Sequence, residues 1–142
     1  MLTHASSFVL SLFADQTVLI VGGYRLPEAV DRLKAGLGLT DAIHCVTRES
    51  DASSRCFDAA TRDPAILLVI RLVALSRTGH GKHLRRVCRE REIPFVECKR
   101  IPQPHALIAQ IEDLRLLDAL ARRRQLIASR SAQCAGHNGG AS

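Results

Sequence analysis

Aromatic side chains are scarce: the sequence has no Trp, one Tyr and four Phe. Proteins that stack single-stranded bases on aromatic platforms need more of them, so that mode of nucleic-acid binding is disfavoured. The five cysteines (Cys45, Cys56, Cys88, Cys98 and Cys134) are an odd number at irregular spacing, without a Cys-x-x-Cys pair. A disulfide framework is not indicated, and buried free thiols in a reducing compartment are expected. No apolar run reaches the roughly 20 residues of a membrane helix. Phe8 to Phe13 is apolar, but no Lys or Arg precedes it and Asp15 follows, which is poor flanking for a signal peptide. The expectation is a cytoplasmic protein with no membrane partner.

Acidic residues are also in deficit. Lys and Arg number 20 against 14 Asp and Glu, a net charge of +6 and a pI near 9.5. This balance favours anionic partners such as a phosphate-bearing small molecule, nucleic acid or an acidic protein face. With 142 residues, 46% of them hydrophobic and 24% charged, the chain is long enough to bury a core as one domain.

The chain is organised around Thr17 to Arg25, where an apolar β-favouring run ends in Gly22-Gly23 and a helix signal follows at Pro27. A short amphipathic helix over 5–14 precedes it, with Phe8, Leu12 and Phe13 turned inward. After the strand at 17–22, Leu26, Val30, Leu33 and Leu37 share one helical face, which Gly36 and Gly38 end. Strands are expected at 42–47, 65–71 and 94–98. Helices are expected over 51–62, from the 76–81 loop to about Glu92, and from Pro104 to Ile127. The Gly-, Ser- and Ala-rich tail over 129–142 reads as disordered, leaving 1–128 as the domain.

Strands alternating with helices predict a three-layer α/β, Rossmann-like domain with a four-stranded parallel sheet in the order 2-1-3-4. The order reverses between strands one and three. Ligands of such sheets sit in the crevice at the carboxyl ends of the strands there.

The run VLIVGGYRLPEAVDRLKAG, a strongly apolar strand, a His-containing loop with a basic helix, and the unit LRRVCREREIPFVE together span Thr17 to Ile111. In this order they resemble the bacterial family catalogued as domain of unknown function 2325. The resemblance implies a small Rossmann-like domain and brings no activity with it. The chain departs from that family's pattern after the third strand. Small polar residues and Ser-His are usual there, and Arg71 to His80 stands in their place.

Gly22, Gly23, Tyr24 and Arg25 form the first candidate ligand site. The glycines permit close backbone approach, the following helix start is electropositive, and Arg25 can fork onto a phosphate or carboxylate. The alternative is a tight turn with Arg25 paired to an acid. No Gly-x-Gly-x-x-Gly fingerprint is present, which disfavours standard dinucleotide binding, and no cofactor is specified.

The second candidate is the opposing loop with Ser76, Arg77, Thr78, Gly79, His80 and Lys82. Gly81-Lys82 superficially resembles a phosphate loop, but Ser76 stands where its first Gly is needed and His83 where Ser or Thr is needed. What remains is a looser anion cradle or a capped helix start. Arg71, inside an apolar run, either points into the crevice, the expectation adopted, or reaches an acid such as Glu97 or Asp41.

Lys82, Arg85, Arg86 and Arg89 fall on one face of the following helix, opposite Leu84, Val87 and Cys88. Such a stripe binds polyanion or is simply solvated. His80, His83, Cys88 and Cys98 do not make a metal site, because Cys88 faces the core. Adjacent His44 and Cys45 point to opposite faces of their strand and cannot pair as base and nucleophile.

Three functions fit. The first is a non-catalytic module holding an anionic, nucleotide-like ligand in the crevice. The second is a homodimeric interaction module using Ile108, Leu116 and Leu120 of the long helix. The last in rank is an enzyme acting on a phosphorylated small molecule through Arg25, His80 and Lys82.

Overall fold

The computed structural model describes residues 4–23, 25–46, 59–73 and 78–140, with backbone alone at 4–6, 78–80 and 131–140. In chain order the elements are α1 (His4–Phe13), β1 (Thr17–Val21), α2 (Pro27–Leu37), β2 (Asp41–Cys45), β3 (Ile66–Leu72), α3 (Thr78–Glu90), β4 (Phe95–Cys98), α4 (Pro104–Asp113) and α5 (Leu117–Gly140). A helical stretch at residues 59–61 precedes β3. The four strands form one parallel sheet in the order β2-β1-β3-β4, as the alternation predicts.

Strand alternation assigns the two faces. Val18, Ile20, Leu68, Ile70 and Val96 pack with residues of α1, α2, α4 and α5. Leu19, Val21 and Val69 pack on the opposite side with Leu84 and Cys88 of α3. One irregularity rephases this alternation. Thr17 pairs with Ile66 but Val18 with Leu68, so Leu67 is an extra residue in β3. Leu67 and Leu68 therefore join one core cluster while Ile66 joins the other.

Several helix ends use backbone conformations that the sequence hides. Gly38 closes α2 with φ of 68°, and the Leu39 amide donates to the Lys34 carbonyl at 3.0 Å. The same closure recurs with non-glycine residues in the left-handed region: Glu92 after α3, where the Ile93 amide donates to the Cys88 carbonyl, and Arg115 after α4, where Leu116 donates to Ile111. Arg115 breaks the single helix expected over 104–127 into α4 and α5. The tail read as disordered is helical as far as Gly140. No helix among the described residues is long and apolar enough to cross a membrane.

Two assignments of facing change. Phe8 is 51% exposed, while Val9, Leu12 and Phe13 carry the core face of α1. The stripe assigned to a partner chain is also internal: Leu120 is fully buried, Ile108 nearly so, and Leu116 packs against them. The turn at Arg115 lets α4 and α5 each press an apolar face onto the same core, so these three side chains turn inward rather than toward a partner chain. Most of the helix expected over 51–62 lies outside the described residues.

Candidate functional site

The carboxyl ends of β1 and β3 are adjacent in the sheet. Leaving β1, Gly22 and Gly23 adopt φ of 105° and 75°, a region other residues enter only with strain. Both backbone polar groups of Gly22 are tied to β2. The Gly22 amide donates to the Cys45 carbonyl at 2.9 Å, and His44 Nε2 lies 2.7 Å from the Gly22 carbonyl as its donor. A Cβ on Gly23 would sit 2.9 Å from Cδ1 of Leu72. Leu72 could rotate away from it, so the positive φ of Gly23 is the stronger reason for glycine here, whether or not a ligand is bound. Arg25 is exposed, and Tyr24 lies outside the described residues.

Arg71 is only 9% exposed, and its pairing corrects the expectation that it points into the crevice. It stands opposite Glu97 in the β3–β4 register and donates Nη1 to Glu97 Oε2. Proximity explains the choice, since cross-strand neighbours on one face are already within reach. Arg85, on α3, donates to the other carboxylate oxygen, Oε1, and its guanidinium lies 5.8 Å from the centre of the Phe95 ring. Burial pushes the Glu97 carboxyl up, but hydrogen bonds from Arg71 and Arg85 outweigh it and hold the group below its ordinary range.

The role of Gly81 follows from the same cluster. A Cβ there would lie 2.4 Å from Cζ of Arg71, so the missing side chain lets the guanidinium lie against the first turns of α3. Thr78, Gly79 and His80 belong to that helix rather than to an open loop. Ser76 and Arg77 lie outside the described residues. Lys82 is exposed.

The basic stripe divides. Leu84, Val87 and Cys88 face the core as expected, while Lys82, Arg85, Arg86 and Arg89 face outward. Arg85 is committed to Glu97, and Arg86 donates to His83 Nδ1 at 3.3 Å. A stripe whose middle members have partners within the chain is a weaker polyanion track than four solvated cations would be.

Cys45 is disulfide-bonded, which corrects the expectation of free thiols throughout. Cys88 and Cys98 are free. Burial pushes the Cys88 thiol up to about 12, against the fields of Arg123 and Arg91. Burial also raises Cys98, whose Sγ donates to Gln110 Oε1 at 3.2 Å. Neither is poised as a nucleophile.

The structure thus joins Gly22, Gly23, Arg71 and the start of α3 at one end of the sheet. To these it adds His44, which the sequence reading weighed only as a base for Cys45, and Gly81, which it weighed only as part of a phosphate-loop-like Gly-Lys pair; neither pattern signals contact with Gly22 or Arg71. No family model matches the chain, and no curated protein or solved structure matches it either.

Proposed function

We propose that the protein is a non-catalytic module that holds an anionic, nucleotide-like ligand at the carboxyl ends of β1 and β3. The observation that carries the reading is the meeting of the two-glycine turn with the start of α3, backed by Arg71. A guanidinium fixed by Glu97 lies beneath the amino-terminal turns of α3, beside a two-glycine turn tied to β2. Amino-terminal helix amides and a preorganised cation act in the same direction on a phosphate. Arg25 and Lys82 add exposed cations at the rim. The raised thiols of Cys88 and Cys98 and the engagement of His44 with Gly22 support binding rather than covalent chemistry.

Thermal unfolding with AMP, ADP and pyrophosphate tests this. Ligand at about 100 times its dissociation constant stabilises the fold by about 2.7 kcal/mol, which raises the melting temperature by several degrees. Arg25→Ala and Lys82→Ala should each reduce that rise without altering the ligand-free melting temperature. If no phosphate compound shifts the transition, the reading is wrong.

A further inference from the structure

The opposite end of the sheet holds a different kind of charge. Two cavities, of about 580 Å³ and 250 Å³, lie where α5 crosses the ends of β3 and β4 that receive the chain, and Arg123 lines both. Arg123 is 3% exposed. Its Nε donates to the Ile66 carbonyl at 2.7 Å, Nη1 to Arg91 at 3.3 Å and Nη2 to Pro64 at 3.4 Å. Among the described residues no carboxylate comes within ion-pair distance of it. Three carbonyls occupy three of its five N–H donors and leave its full charge in place.

The surroundings do not cancel that charge. The two cavities are lined by six arginines and no lysine, against three carboxylates. The carboxyl end of α3 offsets roughly half a charge. Arg89 and Arg122 stand at the mouth of the larger cavity, both exposed. Its lining also includes Ile93, Pro94, Ala119 and Leu126, with Leu126 partly exposed. A volume of about 580 Å³ is within the roughly 300–1,000 Å³ of small-molecule sites and far exceeds what an inorganic ion fills.

We infer that this groove binds a small organic phosphate, its apolar body against Ile93, Pro94 and Leu126 and its anionic group between Arg89, Arg122 and Arg123. Guanidinium forks match phosphate oxygens two at a time, and their planes also stack on flat rings, so arginine suits both parts of such a ligand. This site is separate from the crevice of β1 and β3 and does not depend on it.

Titration of the full chain with 1-naphthyl phosphate, 1-naphthol, inorganic phosphate and AMP, followed by fluorescence and calorimetry, tests the inference. Naphthyl phosphate should bind at least tenfold more tightly than 1-naphthol or inorganic phosphate. The double variant R89A/R122A should lose at least tenfold in that affinity at an unchanged melting temperature, and Leu126→Asp should lose a similar amount. Arg25→Ala should leave it alone. Absence of binding overturns the inference, as does inorganic phosphate binding as tightly as the naphthyl ester. Loss of binding in Arg25→Ala but not in R89A/R122A also overturns it, because the ligand then belongs to the crevice.

Discussion

At the end of β3 where the chain leaves it, the buried cation is Arg71, locked to a carboxylate that a second arginine shares. At the end where the chain enters, the buried cation is Arg123 from α5, hydrogen-bonded to backbone carbonyls, with Asp63 and Glu92 acting on it only through space. Both are guanidiniums taken almost fully out of water, yet they leave different fields behind. An ion pair neutralises and positions its cation, whereas carbonyl dipoles position theirs and leave the charge in place. The crevice of β1 and β3 accordingly has the backbone geometry of an anion site with a largely balanced interior. The groove beside α5 has the stronger cationic field without a glycine turn.

Breaking the ion-paired end should have the largest effect on stability. Glu97→Leu takes the carboxylate from two guanidiniums at once. Loss of one partner of a buried pair costs about 3–5 kcal/mol, and the 30% exposure of the Glu97 side chain places this case at the low end, about 3 kcal/mol. Adding Arg71→Met to that variant should recover part of the loss, since an apolar pair of similar volume can replace an ionic one. Urea denaturation of the two single variants and the double variant measures the coupling. Strictly additive losses would show that Arg71 and Glu97 do not act as a pair.

At the other end, Arg123→Met should cost less, about 2 kcal/mol. Hydrogen bonds from a charged donor contribute about 1.5–3 kcal/mol each, but two of the three are long, and water in the adjoining cavities can take over the freed carbonyls. Arg123→Lys should recover little, because an ammonium cannot span carbonyls of Pro64, Ile66 and Arg91 as the fork does. The same denaturation measurement checks both. Full recovery in the lysine variant would mean that charge alone, rather than the fork, matters there.

The two ends also differ in how legible they are from sequence. The sheet order followed from alternation of strand and helix, the inward face of α3 from periodicity, and the burial of β3 from its apolar run, because those signals are local. Arg71 was visible as a cation in an apolar run, with Glu97 as one acid within reach. Its actual partner depended on the β3–β4 register, which only the assembled sheet sets. Arg123 carried no signal. It is one of three consecutive arginines on the long helix expected from Pro104 to Ile127, off the apolar positions counted there, and the helix that carries it starts anew after the break at Arg115. A left-handed arginine there gives no glycine to mark the helix end. That missing mark also put Leu116 and Leu120 on a partner-facing stripe, because they were counted on one helix continuous from Pro104, whereas both pack inward after the break.

Acid titration separates the two ends with the smallest effect. Glu97 has a folded-state affinity for protons below its unfolded value, so its ionised form contributes stability above the ordinary glutamate pKa of about 4.3. That contribution disappears as pH falls through the depressed folded value. Because the carboxylate is partly exposed, the amount is under about 1 kcal/mol. The stability difference between the native chain and Glu97→Gln should therefore be constant above about pH 5 and shrink steadily below it. Arginine keeps its proton throughout that range, so the difference between the native chain and Arg123→Met should stay level from pH 7 down through the same window. Melting temperatures recorded at matched ionic strength read both curves. A decline in the Arg123 series as steep as that of Glu97 would show that Asp63 or Glu92 supports that guanidinium as strongly as a direct pair does, and the contrast between the two ends of β3 would fail.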